Sequence, residues 1–455
     1  MSARPGQQSF LGTPATAPGP QGPDMLRDFS LIRRNPLRFL DQVWRRHGDV
    51  VQFPIPRPPT YLVNDPAGVR RVLVDNARAY GKSTIQYRAL SLVTGEGLLT
   101  ADGDTWRRQR RLVQPAFHHR TLETLVAHID RAAQSVVDDW SALDDGTVVD
   151  VDAAMMEAAL EVVGHALFGT DLSDDAAALA TATLDALEVV VARARVPITP
   201  PGWMPTPANR RLARANAVLD ASVSRMMRER RAQGARGADM LDLLIETTDE
   251  TGGRLSAGEI RNQMVTFIVA GHETVASALT WSWALLAAHP DAQERLQAEA
   301  DAALADGPLT FASLERLPFT RAVYDESLRL FPPAWLITRK ALAADDVAGH
   351  AIPEGALIIL SPALLHRHPA LWDEPEAFRP ERFLGDVDRG SFLPFGAGPR
   401  LCIGRDFSYV EGVLMLARIA AGFTLRYPDG VGMPAPDPLV TIRPAEGLHL
   451  RVSRR

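Results

Sequence analysis

The chain has 455 residues, 46% hydrophobic and 23% charged, with 49 Lys and Arg against 55 Asp and Glu. That composition excludes a wholly disordered chain, and a net charge of −6 gives no global basic footprint for nucleic acid. A single cysteine, Cys402, excludes a disulfide framework and a zinc site built on several thiolates.

Residues 1–24 are rich in Pro, Gly, Gln and Ala and lack the apolar core of a signal peptide. They read as a flexible arm ahead of one large domain over 25–455. Two apolar, strand-like runs, 50–53 and 61–63, predict a hairpin split by the Pro-rich stretch 54–59. Helical spacing then recurs near 65–80, 103–118, 121–140, 150–168 and 174–193. The Pro-rich break 197–207, carrying Trp203 and Met204, reads as a lid over an entrance. An Arg-rich helix is expected over 210–231, a Gly-containing loop over 233–238 and a short helix over 240–247. The apolar run 264–289 is long enough to span a bilayer. His272 and Glu273 near its middle would be costly in lipid, so a helix over about 256–289, buried all round in protein, is expected instead. Further helices lie near 291–305 and 311–330. Strands and turns follow over 338–359, then a Pro- and Gly-rich loop region over 370–400. A last helix near 403–422 precedes strand-like segments. Strand pieces so scattered must pair across long separations, which favours one domain, mainly α with small β-sheets.

The sharpest constellation is Phe395-Gly396-Ala397-Gly398-Pro399-Arg400-Leu401-Cys402-Ile403-Gly404. A helix is expected to start just after the cysteine, so its free N–H groups and positive end favour thiolate over thiol. A thiolate at a loop apex suits a soft metal centre. Gly398 and Gly404 are expected to let the backbone approach a flat ligand, and Arg400 to pair with an anionic edge of it. Glu326 and Arg329 lie one helical turn apart and can pair. In Ala270-Gly271-His272-Glu273-Thr274, the Thr274 hydroxyl can reach back to the Ala270 carbonyl and open a local groove. Trp106 and Arg110 also share a helix face. His366 and His368 flank Arg367 at a spacing that can align two ligands, a weak signal for a second metal.

The cysteine loop resembles the haem-binding signature of the cytochrome P450 family, with Phe395, Gly398, Arg400, Cys402 and Gly404 at the fixed positions. Glu326, Arg329 and Arg382 resemble its Glu-x-x-Arg motif and third partner, 270–274 its oxygen-binding segment, and Trp106 with Arg110 its haem-flanking helix. The motifs keep the family's order from 106 to 404. The resemblance implies the fold of that family and a haem b whose iron is held by Cys402. Trp106, Arg110 and Arg339 would reach the propionates, and Ala270 and Gly271 would lie beside the ring. Glu273 and Thr274 would manage protons, while Val275 follows where some relatives carry a second Thr. The Glu326–Arg329–Arg382 network would fix the loop that presents Cys402. The implied activity is a monooxygenase that inserts one atom of O2 into a hydrophobic small molecule of terpenoid, macrolide, steroid or fatty-acid type. Tyr87, Phe267, Val269, Trp335 and Leu336 would line its pocket. No flavin or dinucleotide region is visible, so electrons would come from a ferredoxin or flavodoxin and its reductase. Arg107, Arg108 and Arg111 would offer such a partner a positive patch. A cytoplasmic monomer without a membrane span is expected. The alternatives are a haem-thiolate peroxygenase or isomerase using no external electrons, or a non-enzymatic haem sensor. Retention of Glu273-Thr274 argues against the first, and the apolar pocket with its proton relay against the second.

Overall fold

The computed structural model describes residues 15–54, 59–169, 176–194, 200–234, 239–246, 253–305, 307–388 and 390–455. Expectations for residues 1–14, 55–58, 174–175, 197–199, 235–238, 247 and 389 lie outside the described residues.

Helices α1 (Gly22–Arg27), α2 (Phe29–Arg34) and α3 (Pro36–His47) lead into the hairpin β1 (Val50–Phe53) and β2 (Thr60–Val63). Helix α4 (Pro66–Arg70) runs on as a π turn over Arg71–Asp75, before β3 (Tyr80–Gly81) and α5 (Ile85–Thr94). Next come α6 (Gly103–Val113), α7 (His119–Ser141), β4 (Val148–Asp150) and α8 (Val151–Val162), the last ending in a π turn over Val163–Leu167. Then follow α9 (Ala176–Ala194), α10 (Pro207–Gln233), α11 (Met240–Glu246), α12 (Ala257–Ala288), α13 (Pro290–Leu304) and α14 (Pro318–Leu330). The chain continues through β5 (Ile337–Ala341), β6 (Asp345–Val347), β7 (His350–Ile352), β8 (Leu357–Leu360) and α15 (Pro362–Leu365). It closes with α16 (Arg405–Gly422), β9 (Phe423–Arg426), β10 (Pro436–Pro438), β11 (Ile442–Pro444) and β12 (His449–Arg454).

The strands do pair across long separations. One sheet has the order β1-β2-β8-β5-β3, with β2 and β8 parallel, and another the order β4-β12-β9. The last described part of the expected arm lies on the first sheet. Gln52 N–H donates to the Pro18 carbonyl at 2.8 Å, Gln52 Oε1 accepts from Thr16 N–H at 2.7 Å, and Ala17 is buried. Residues 22–24 already belong to α1. Helices α1 and α2 are too short to show an apolar period, and α2 buries no residue. Helix α3 does bury a stripe, Phe39, Leu40, Val43 and Trp44.

Helix α12 is the axis of the molecule. A reciprocal cap starts it: Glu259 N–H donates to Ser256 Oγ, and Ser256 N–H to the Glu259 carboxylate. Its early residues Ile260, Met264, Val265 and Phe267–Val269 enter a core with α5, α9, α10 and α11. Its later residues, from Val275 to Ala287, enter a second core with α7, α8, α14 and α16. The polar residues His272, Glu273 and Thr274 sit where the helix passes from one core to the other. Among the described residues no helix is long and apolar enough to cross a membrane.

Candidate active site

The cysteine loop faces that stretch of α12 across a cavity of about 360 Å³. Backbone bonds close the loop. Cys402 N–H donates to the Phe395 carbonyl at 3.0 Å, and Leu401 N–H to that of Gly398 at 3.0 Å. Gly396 and Gly398 hold φ of +71° and +67°, a region that favours glycine. Helix α16 starts at Arg405, directly behind Cys402, as the sequence predicts. Cys402 is ringed by protein yet opens onto the cavity. The expectation of a preformed thiolate needs correction. Burial raises the thiol pKa more than the Gly404 N–H and the Arg110, Lys82 and Arg405 charges lower it. A bound metal cation removes such a proton outright.

The two loop glycines divide their roles. A Cβ on Gly404 would meet only Phe117 Cε1 within 4 Å, at 3.9 Å, so glycine here keeps the cavity wall bare. Gly398, expected against a flat ligand, does not line this cavity. A Cβ there would fall 2.0 Å from the Leu73 carbonyl oxygen, so glycine is needed where the loop rests on the π turn after α4.

Four cations gather at the same cavity: Lys82, Arg110, Arg339 and Arg400. Lys82 Nζ donates to the Leu99 carbonyl at 2.8 Å, and Arg110 Nη1 to that of Leu401 at 3.1 Å. Arg339 is buried on β5, and its Nη1 donates to the Thr338 carbonyl at 2.9 Å. Arg400 donates to the Ala101 carbonyl at 2.9 Å, pairs with Asp102 and lies 3.8 Å over the Trp106 ring. Burial, with the charges of Arg339 and Arg400, holds Lys82 well below the ordinary lysine range. Burial and the Arg339 charge bring Arg400 down to about 10, against the pull of Asp102. A buried cluster with this excess of positive charge is short of anions. It fits a flat ligand carrying two carboxylates at one edge and a metal within reach of Cys402. Nothing in the periodicity marks Lys82, a lone lysine at the end of β3.

On the opposite wall stand Ala270, Gly271, Glu273 and Thr274. Thr274 Oγ1 donates to the Ala270 carbonyl at 2.7 Å, as the spacing predicts. Gly271 is needed for packing, since a Cβ would come 2.9 Å from Val163 Cγ2. Glu273 Oε1 accepts from Thr441 Oγ1 at 3.0 Å. Burial pushes the Glu273 carboxyl up to about 7, with Arg443 and Thr441 pulling against it. His272 contacts the Ile268 carbonyl through Nδ1, and burial lowers its pKa to about 4.

A family model described as Cytochrome P450 matches residues 18–451. The chain belongs to the cytochrome P450 family. This cytochrome P450 is 38% identical over 430 residues to cyclooctatin synthase of Streptomyces melanosporofaciens, covering 92% of this chain and 90% of that one. It is 37% identical over 427 residues to cyclooctat-9-en-7-ol 5-monooxygenase of the same organism, covering 91% and 90%. It is 33% identical over 454 residues to pentalenene oxygenase of Streptomyces avermitilis, covering 99% of each chain. The protein is thus a cytochrome P450 monooxygenase, and its cofactor is haem iron.

The rest of the cavity wall of this cytochrome P450 is largely apolar. Tyr87, Phe267, Val269 and Leu336 line it as expected, with Leu98, Leu167 and Val440. Trp335 does not. Its indole donates to the Leu439 carbonyl at 3.0 Å and its rings sit in the main core.

Beneath the cysteine loop, Glu326 and Arg329 are fully buried and doubly bonded, at 2.7 and 2.9 Å. Arg329 also donates to the carbonyls of His366, Pro375 and Ala377. Arg382 Nε lies 3.3 Å from Glu326 Oε1, which also accepts from Arg379 N–H at 2.8 Å. His366 ties this network to the loop: Nε2 accepts from Leu393 N–H at 2.8 Å, and Nδ1 lies 3.2 Å from the Arg329 carbonyl. His368 contacts Asp49 at 3.1 Å and accepts from Ala370 N–H. Both histidines are engaged in the fold, and among the described residues no group of three His, Cys, Asp or Glu can hold a metal. The expected Arg patch is also engaged. Arg107 pairs with Asp104, and Arg108 with Glu259 at 2.7 Å.

Proposed function

We propose that this enzyme hydroxylates a terpenoid-class substrate, using haem b, O2 and electrons from a ferredoxin or flavodoxin and its reductase. One observation carries the reading. A free thiol, a cationic edge and an acid–alcohol pair converge on one otherwise apolar cavity. Cys402 would hold the iron, and Lys82, Arg110, Arg339 and Arg400 the two propionates, with Trp106 as the platform under Arg400. When bound, the haem supplies activation of dioxygen and transfer of one oxygen atom. The protein does the rest. The apolar wall excludes water and positions a hydrophobic substrate. Glu273, with a proton affinity near neutrality, can both take up and give up a proton at working pH. The Thr274 hydroxyl orients a proton-carrying water at the cavity wall, and Val275 has no hydroxyl to replace it. The Glu326–Arg329–Arg382 network holds the loop that presents Cys402. Two relatives are named for oxygenation of cyclooctat-9-en-7-ol and of pentalenene, which favours a cyclic terpenoid over a macrolide or fatty acid.

The test is reductant consumption by the haem-loaded enzyme with a ferredoxin and its reductase. Terpenoid substrates should raise consumption and yield oxygenated product in proportion. Turnover sustained by hydrogen peroxide, with no substrate-dependent reductant use, would replace this reading with a peroxygenase.

A further inference from the structure

Strand β11 is pinned to α12 beside Glu273. The Ile442 carbonyl accepts from Ser277 Oγ at 2.6 Å and from Trp281 Nε1 at 3.0 Å. Glu273, Ser277 and Trp281 are spaced by four residues, so they form one stripe on the helix. Thr441, just before β11, and Arg443, within it, flank Ile442. Both act on Glu273. Thr441 Oγ1 donates to its carboxyl, and the Arg443 charge favours its ionised form. Arg443 is itself held by Asp152 at the start of α8, and Asp152 Oδ1 lies 3.2 Å from Thr280 Oγ1. Arg443 Nη1 is buried with no hydrogen-bond partner among the described residues. The pair is thus buried and one-sided, built around more than its own contact.

We propose that Thr441 and the Arg443–Asp152 pair are positioning residues by which the antiparallel β10–β11 hairpin sets the orientation and charge of Glu273. The proposal rests on the reading of Glu273 as a proton-handling group. The groups acting on its carboxyl are Arg443 and Thr441 from the hairpin segment and Asp152 from α8, against a background of burial. His272, its neighbour on α12, is neutral at working pH.

The two members of the ion pair act with opposite signs. Arg443 favours the carboxylate and Asp152 disfavours it. Arg443→Gln leaves Asp152 uncompensated, so Glu273 should hold its proton to higher pH. Asp152→Asn leaves Arg443 unpaired, so Glu273 should release its proton at lower pH. A pair that served folding alone would not move this titration in opposite directions.

The experiment uses the haem-loaded enzyme. Infrared difference spectra follow the protonated carboxyl band against pH, with Glu273→Gln identifying the band. Expected are shifts of about tenfold in proton affinity, one pH unit, upward in Arg443→Gln and downward in Asp152→Asn. Thr441→Val keeps side-chain shape and leaves the ion pair intact. It should shift the band upward as well, which frees the test from the folding of the other two variants. Arg443→Lys, which retains a cation, should stay near wild type. Midpoints that stay put, or that move the same way in both ion-pair variants, overturn the proposal. Product formed per reductant consumed is recorded alongside against pH. Opposite band shifts with an unchanged product ratio would uphold the clamp and overturn the proton-handling reading of Glu273 instead.

Discussion

Cys402 sits where backbone bonds and two left-handed glycines put it, before any metal contributes. Its thiol is pushed up by burial, so the charge that makes it a ligand comes from the metal it meets. Cys402→Ser keeps the loop geometry but offers a far weaker anion. It should bind little haem, and the reduced protein with carbon monoxide should lose the far-shifted Soret band of thiolate ligation. A wild-type spectrum typical of histidine ligation would contradict the assignment. Thr274 has a separable task. Thr274→Ala removes the hydroxyl but neither the cationic edge nor the apolar wall, so haem content and substrate affinity should stay near wild type. Product per reductant should fall on the order of tenfold, with hydrogen peroxide rising in its place. An unchanged ratio would leave Thr274 as a helix-groove residue only.

Helix α14 does for the loop what α12 does for the opposite wall. Its Glu326 and Arg329 have no exposed surface, and Arg329 bridges three carbonyls of the segment that leads into the cysteine loop. Glu326→Ala would leave a buried guanidinium without its carboxylate. We expect a loss of about 3–5 kcal/mol and haem-depleted protein, measured by thermal melting and haem content. Normal melting would mean a dispensable pair. These elements were legible in the sequence because each is local: Glu326 and Arg329 are three apart, Thr274 and Ala270 four, and α12 announces itself by apolar length. What escaped is non-local. Lys82 matters through Arg339 and Arg400, His366 through the Leu393 N–H, and Gly398 through the Leu73 carbonyl. Trp335 faces the core rather than the cavity because its indole finds a partner in the Leu439 carbonyl, 104 positions away. Helices α1 and α2 went unmarked because they are too short to show a period, whereas the stripe Phe39, Leu40, Val43 and Trp44 of α3 was legible and went unread.

Across the whole molecule, buried titratable groups of opposite sign set the pH dependence of stability. His366 is neutral in the fold, its pKa lowered to about 3 by burial, so the folded state binds fewer protons than the unfolded one below about 6.5. Its contribution is complete above that pH and is lost as pH falls toward 3. Glu273 runs the other way. Raised to about 7, it binds more protons folded than unfolded above 4.5, so stability falls as pH climbs from 4.5 to 7. Glu273→Gln should therefore gain about 3 kcal/mol on wild type between pH 4 and pH 8, read as a growing difference in Tm. A constant difference would show that Glu273 titrates normally. The long-range build of the site has a further consequence, for synthesis. Arg110 meets the Leu401 carbonyl 291 positions away, and Arg400 that of Ala101 299 positions away. At the usual pace of a ribosome, the wall bearing Lys82, Trp106 and Arg110 waits about 15–60 s for Cys402 to be made. Throughout that interval Arg110 and the wall around it lack the cysteine loop, and no nascent chain short of Cys402 carries the thiol that would hold the iron. Haem capture is thus confined to the end of translation, and the yield of loaded enzyme in a host should follow its holding chaperones and its haem supply at that moment more than its rate of initiation.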